Sequence, residues 1–282
     1  IEGLDMDTKP FIIKKITLRA SNISVMRNFY ENLLQFHVIS ETDNSVSYAF
    51  RENEETFLTL EFGGRLRKKN TAGLFHYAIL FPDVSSKATI VDRIIRNNYP
   101  IGAGDHLVSE SFYINDPEGN GIELYHDRDA TEWIWEDGKV KMGTLPVDVQ
   151  DLLDQKNNHL DYPKNMKIGH LHFTGNSIAK SDEFFNELLN TDFVSSVGDT
   201  AHFYSQNHYH HHFATNIWEG ENINKRNLLE NGILKWELEV SKDYYDSISQ
   251  RIIEKAIPFK DEENSISIED HVGSKLILLK KI

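Results

Sequence analysis

The feature that most constrains this chain is one order of hydrophobic periods that recurs four times: a strand, a helix, then three short strands. In the first copy, 11–20 alternates in strand fashion, with Ile16 and Leu18 set against Lys15 and Thr17. Residues 23–34 then carry Met26, Phe29, Tyr30 and Leu33 at helical spacing, and 36–41, 45–51 and 56–62 are β-rich. The order returns from Leu74, with a helix predicted over 86–97 and strands ending at 112–115 and 121–126. It returns from Ile168, with a helix over 179–189 and strands over 193–197, 202–205 and 209–217. The fourth copy begins near Leu234, with a helix over 244–256 and a last strand over 275–281.

Repeats of this length point to stacked modules rather than one irregular domain. The stretch 130–165 is polar and turn-rich, with one short apolar helix around 147–153, and reads as a linker. The expected fold class is therefore α+β: four βαβββ modules paired into two barrel-like curved sheets. Along the chain, modules one and two fall in 8–128, the linker in 129–165, and modules three and four in 166–282. A βαβββ unit has a helix on one face only, so two units must join to bury that side and enclose a concave face. Inward positions on their first and last strands then converge.

Composition narrows the chemistry. The formal net charge of −14 argues against a nucleic-acid partner, which needs clustered cations. The one basic cluster, Arg65 to Lys69, reads as a solvated loop. The absence of cysteine excludes disulfides, a thiolate nucleophile and any Cys-ligated metal, so a metal must sit on His, Asp or Glu. No apolar run approaches the ~18 residues of a membrane span, and none reads as a secretory leader; no membrane partner and a cytoplasmic location are expected.

Two segments carry candidate chemistry. In Gly104–Glu123, the run from Asp116 to Gly121 (Asp-Pro-Glu-Gly-Asn-Gly) is a tight turn, and the hairpin around it aligns Tyr113 with Glu123. Alternation puts Glu123 and Tyr125 on one face and Ile122 and Leu124 on the other. A Glu between Ile and Leu is equally consistent with an edge position facing water. The second segment runs from His208 to Trp218; read as a strand, it puts His208, His210 and His212 on one face. Such a run could also be a solvated loop, but Phe213 and Ala214 favour entry into a core. His76 and His170 open strands at matching module positions, and His172 shares a face with His170. His37, His126, His159, His202 and His271 have no such context. Trp218, Phe112 and Tyr77 are aromatic candidates for pocket walls, or equally for core.

The filled positions Gly104, His106, Phe112-Tyr113, Asp116-Pro117, Gly119 and Glu123 resemble the signature of extradiol ring-cleaving dioxygenases of the vicinal oxygen chelate superfamily. With the histidine-rich run and the four-module layout, the whole chain resembles two-domain catechol 2,3-dioxygenases. The resemblance implies a vicinal oxygen chelate fold and a metal on His76, Glu123 and His170. It implies that His106 and Tyr113 bond the substrate and that His212 is the acid–base histidine, with His172, His210, Trp218 and Tyr77 as pocket candidates. It implies Fe(II), with Mn(II) compatible, a small aromatic diol and O₂ as reactants, and a homo-oligomer as a compatible state.

The chain departs from the family's familiar layout, which pairs modules three and four. Trp236 and Ile277 are read at the places of His76 and Glu123 in module four, and Lys15 at that of His170 in module one. The ligands thus imply pairing of module two with three, and of one with four as a metal-free support; the alternative is two sequential domains with incomplete sites. Two other functions fit the superfamily: a glyoxalase-type isomerase or transferase on Zn(II) or Ni(II), with His212 as a fourth ligand, and a non-catalytic aromatic-ligand-binding resistance protein.

Overall fold

The structure, a computed structural model, describes residues 10–157, 159 and 161–281; the expected outer bounds at 8 and 282 lie outside these residues. Module one comprises β1 (Phe11–Arg19), α1 (Ile23–Arg27, continued by a π-type turn over Asn28–Leu33), β2 (His37–Thr42), β3 (Ser45–Ala49) and β4 (Leu58–Glu61). Module two comprises β5 (Thr71–Leu80), α2 (Val84–Arg96), β6 (Gly102–Asp105), β7 (Ser109–Asn115) and β8 (Gly121–Asp127). The connection holds the short strands β9 (Trp135–Glu136) and β10 (Lys139–Val140) and helix α3 (Val149–Asp154). Module three comprises β11 (Lys167–Thr174), α4 (Ile178–Asp182, continued by a π-type turn over Glu183–Leu188), β12 (Asp192–Val197), β13 (Ala201–Ser205) and β14 (Phe213–Asn216). After β15 (Asn224–Lys225), module four supplies β16 (Gly232–Val240), α5 (Lys242–Glu254), β17 (Phe259–Glu262), β18 (Ser265–Glu269) and β19 (Lys275–Lys280).

One sheet runs β12-β13-β14-β11-β5-β8-β7-β6, with β15 beside β5, and the other runs β17-β18-β19-β16-β1-β4-β3-β2. Module two therefore joins module three through the antiparallel pair β5–β11, and module one joins module four through β1–β16. This is the cross-pairing that the distribution of ligands implies, not the sequential one. Each sheet takes one module from each half of the chain.

Local chemistry explains the elements. Asp83 caps α2 by accepting from the Ser86 amide at 2.8 Å, and Arg93 and Arg96 lie in its last turn, where the helix dipole favours cations. Ile90, Val91 and Ile94 form its buried stripe. The helix-facing side chains of both sheets, among them Tyr77, Ile79, Leu124, Phe173, Phe213 and Trp236, belong to one continuous core.

Four expectations need correction. The strand expected over 209–217 is shorter: β14 starts at Phe213, and His208 has φ +52°, so residues 208–212 form a turn in which strand alternation does not hold. Tyr77 is not a pocket wall. One residue after His76, it points to the helix side, fully buried, with its hydroxyl donating to that of Tyr30 at 3.5 Å. Phe112 is likewise core, on the opposite face of β7 from Tyr113. In module four, the residue at the place of His76 is Lys235, not Trp236. His76 pairs with Gly121 and Lys235 with Lys275, each five positions past the turn aspartate, Asp116 or Asp270. Trp236 corresponds to Tyr77, and its indole donates to Asp270 at 2.7 Å within the core. Lys15 pairs with Glu237 as His170 pairs with Ala78, so its assignment stands.

Candidate metal centre and its cavity

His76, Glu123 and His170 sit on β5, β8 and β11, three neighbouring strands with β5 in the middle. Strands lie about 4.8 Å apart, so inward residues at one level are already within reach of a shared ion. Ala78 on β5 is the register partner of both Glu123 and His170, and His76 stands one inward position along. The methyl group of Ala78 leaves the space between them open. Two glycines make the approach possible. A Cβ on Gly121 would lie 2.3 Å from the Phe75 carbonyl oxygen, and one on Gly169 would lie 1.7 Å from the Tyr125 hydroxyl. A larger residue at either place would displace the strand that carries a candidate ligand.

One ligand atom from each of the three residues lies within 4.8 Å of the others, and all three side chains are buried. Glu123 Oε2 is 3.0 Å from both His76 Nε2 and His170 Nε2. His170 Nε2 donates to it, but His76 Nε2, at the same distance, lacks hydrogen-bond alignment and has no other partner. A buried ring nitrogen without a hydrogen-bond partner, beside two other ligand atoms, fits a group able to hold a cation between them. The other carboxylate oxygen accepts from Ser111 Oγ at 2.6 Å, which fixes the rotamer. Burial opposes ionisation of Glu123, but His170 and His76 beside it hold its carboxyl well below the usual range. Burial lowers His170, with Glu123 partly opposing. The donor set is two nitrogens and one oxygen of neutral and anionic groups, which suits a divalent cation with open positions.

A cavity of about 620 Å³ opens beside this group and is bounded by His106, Tyr113, His172, His211 and Trp218, with Met142, Gly143 and Thr144 from the connection closing one side. His106 and Tyr113 meet across the β6–β7 hairpin. His106 Nδ1 donates to the Gly143 carbonyl at 2.8 Å, so Nε2 of the neutral ring accepts from the Tyr113 hydroxyl at 2.5 Å. Burial, then the Glu123 charge, raises the Tyr113 phenol, which stays protonated. His172 Nε2 accepts from Asn216 Nδ2 at 3.0 Å, and the ring stays neutral because burial and then His76 and His170 lower it well below the usual range.

The histidine-rich turn distributes its side chains differently from the expected alternation. His211, not His212, reaches the cavity, with its ring centroid 4.1 Å from that of His170. His212 packs edge-on against Phe11 at 5.0 Å, shares a 2.9 Å hydrogen bond with Ser205 Oγ, and lines a separate cavity of about 290 Å³. It stands outside the three-residue group and supplies no fourth ligand there. His210 does not line the cavity but backs it. Its Nδ1 meets His211 Nδ1 at 2.7 Å and its Nε2 donates to Asp127 Oδ1 at 2.8 Å. Burial lowers His211 well below the usual range, and His170 and His210 add to this.

Sequence reasoning missed His211, Ser111, Phe75 and the connection residues Met142 to Thr144. Ser111 was accessible: it shares the inward face of β7 with Tyr113, whose cross-strand partner is Glu123. The others depend on a turn, a bulge at Phe75 between β5 and β11, and a loop path, none of which has a period.

A model of the family described as Glyoxalase/Bleomycin resistance protein/Dioxygenase superfamily matches residues 12–124. The chain is 31% identical over 271 residues to the catechol-2,3-dioxygenase of Bacillus subtilis (strain 168), covering 93% of this chain and 94% of that one. It is 29% identical over 125 residues to biphenyl-2,3-diol 1,2-dioxygenase 2 of Rhodococcus globerulus, covering 41% of this chain and 63% of the relative. Its fold matches glyoxalase I from Zea mays with a TM-score of 0.56 at 10% identity, over 96% of this chain and 92% of that one. It also matches the cppA protein of Streptococcus pneumoniae TIGR4 with a TM-score of 0.52 at 14% identity, over 96% of this chain and 99% of that one. A repeated βαβββ architecture, a cross-paired sheet with a buried two-histidine, one-carboxylate group, and likeness to a dioxygenase along nearly its whole length agree: the chain belongs to the Glyoxalase/Bleomycin resistance protein/Dioxygenase superfamily.

Proposed function

We propose that this protein is an extradiol dioxygenase that uses Fe(II) held by His76, Glu123 and His170 to insert O₂ into a small catechol-type diol, breaking the ring bond beside the two hydroxyls. The observation that carries the reading is the convergence of those three side chains on one point, with His76 Nε2 buried there without a hydrogen-bond partner, at the wall of a cavity that also holds His106, Tyr113 and His211. When bound, Fe(II) supplies open coordination positions that bring diol and O₂ together and a route for electrons between them. Mn(II) suits the same donors.

The chain's own residues have separable tasks. His211, with Nδ1 engaged by His210, offers Nε2 to take a proton from the diol and return one later. His210, tied to Asp127, orients that ring. Tyr113 and His106 form a hydrogen-bonded pair set to bond the substrate oxygens and the oxygens of the opening ring. The Met142–Thr144 strap closes one side of the cavity over this group.

The test is anaerobic loading with Fe(II), addition of catechol, then admission of O₂. The expected outcome is a yellow semialdehyde with one O₂ consumed per diol. Failure to turn over any of a panel of diols, with tight Zn(II) binding instead, would exclude the reading in favour of a glyoxalase-type reaction.

A further inference from the structure

We propose that the cavity selects uncharged diols bearing an apolar ring substituent and excludes diols bearing a carboxylate or sulfonate. The inference rests on the reading above for the diol itself and adds what the rest of the cavity recognises.

Size is the first observation. About 620 Å³ falls within the ~300–1,000 Å³ of pockets that hold drug-sized ligands, well beyond one benzene ring. The distribution of polarity is the second. The groups able to bond a diol lie deep: Glu123 is 3% exposed and His76 6%. The outer wall is apolar and open, with Phe75 41%, Trp218 52% and Val197 54% exposed. Phe75 and Trp218 stand edge to face at 5.3 Å, Trp218 lies 5.7 Å from the His172 ring, and Phe203 lies 5.9 Å from it. An exposed aromatic pair at a cavity mouth, continuous with the site, fits an apolar group projecting outward from a ring anchored below.

Charge is the third. Among the described residues no Lys or Arg lines the cavity, while Glu123 lies at its base. The carboxylate of a substrate anchored by its diol would therefore lose water at the outer wall without gaining a cation there. Ser195, Ser196 and Thr144 offer only neutral groups.

The test is anaerobic calorimetric titration of the Fe(II)-loaded protein with catechol, the 3- and 4-phenyl catechols, and 3,4-dihydroxybenzoate. The better phenyl isomer is expected to bind at least about 10-fold tighter than catechol, and the carboxylate at least about 10-fold weaker. Trp218→Ala should narrow the phenyl preference, and Val197→Lys should improve carboxylate binding relative to phenyl; both positions are half-exposed, so folding is not at stake. Equal affinities, a carboxylate that binds as tightly as catechol, or no binding of any diol would overturn the proposal. Because binding is read without O₂, the predicted ranking with no later turnover sinks ring cleavage alone. Turnover with a flat ranking sinks the selectivity alone.

Discussion

Replacing Glu123 by Gln removes the one anionic ligand and keeps the shape of the side chain. Ser111 Oγ can still donate to the amide oxygen, and His170 Nε2 can accept from the amide nitrogen in its other tautomer, so the fold should survive with a change of about 1 kcal/mol. The metal should not tolerate it. At 100 times its dissociation constant an ion stabilises the wild type by about 2.7 kcal/mol, which at roughly 2–4 °C per kcal/mol for a chain of this size is about 5–10 °C. Loss of an outer partner of a metal ligand costs about 10–100-fold in affinity, and loss of the charged ligand itself at least the upper figure. At the same metal concentration the variant then keeps about 0.4 kcal/mol, or roughly 1–2 °C. The assay is a thermal melt of both proteins with and without Mn(II), which does not need anaerobic handling. Equal metal-induced shifts in the two proteins would refute the assignment of Glu123.

Other perturbations probe separate parts of the account. His211→Ala should lower the ring-cleaving rate by about 10²–10⁴ while leaving the Mn(II)-induced shift in place, whereas His212→Ala should leave the rate within a few-fold; a reversed ranking in steady-state assays would return the acid–base role to His212. Ala78→Leu inserts bulk between Glu123 and His170 and should abolish the metal shift at a cost of about 1–3 kcal/mol in urea stability, so retention of metal would contradict the geometry. Burial pushes the Asp116 carboxyl up to about 6, against its bonds from Asn120 and Tyr30. The folded state therefore binds the proton more tightly than the unfolded chain. Asp116 favours folding most at low pH and loses that contribution as pH rises from about 4 to about 6. Urea midpoints of wild type and Asp116→Asn across that window should show the difference, and parallel pH profiles would remove this explanation.

Much of the site was legible because strands have a strict period and modules repeat. The Ile and Leu neighbours of Glu123 leave an inward face and a water-facing edge equally open, and the family resemblance points to the inward one. The absence of matching ligands in modules one and four pointed to the β5–β11 seam, where His76 and His170 do meet. The same strictness makes errors of one residue costly. Trp236 was read at the place of His76, yet the register assigns Lys235 there and puts the indole in the core, since a single step changes face. The resemblance implies His212 as the acid–base histidine, yet His211 is the ring that reaches the cavity: strand alternation begins only at Phe213, and His208 turns the chain with positive φ just before it. The strap at Met142–Thr144 had no signal to find: its role follows from a backbone path held by the His106–Gly143 bond, which couples residues 37 positions apart.

The most direct test of the central claim is an anomalous-diffraction map at the iron edge from crystals loaded anaerobically with Fe(II). The account predicts one dominant peak within about 2.3 Å of His76 Nε2, His170 Nε2 and a Glu123 oxygen, at the seam of modules two and three. A dominant peak at His210 and His211, or at the Lys15 and Lys235 seam of modules one and four, would contradict it.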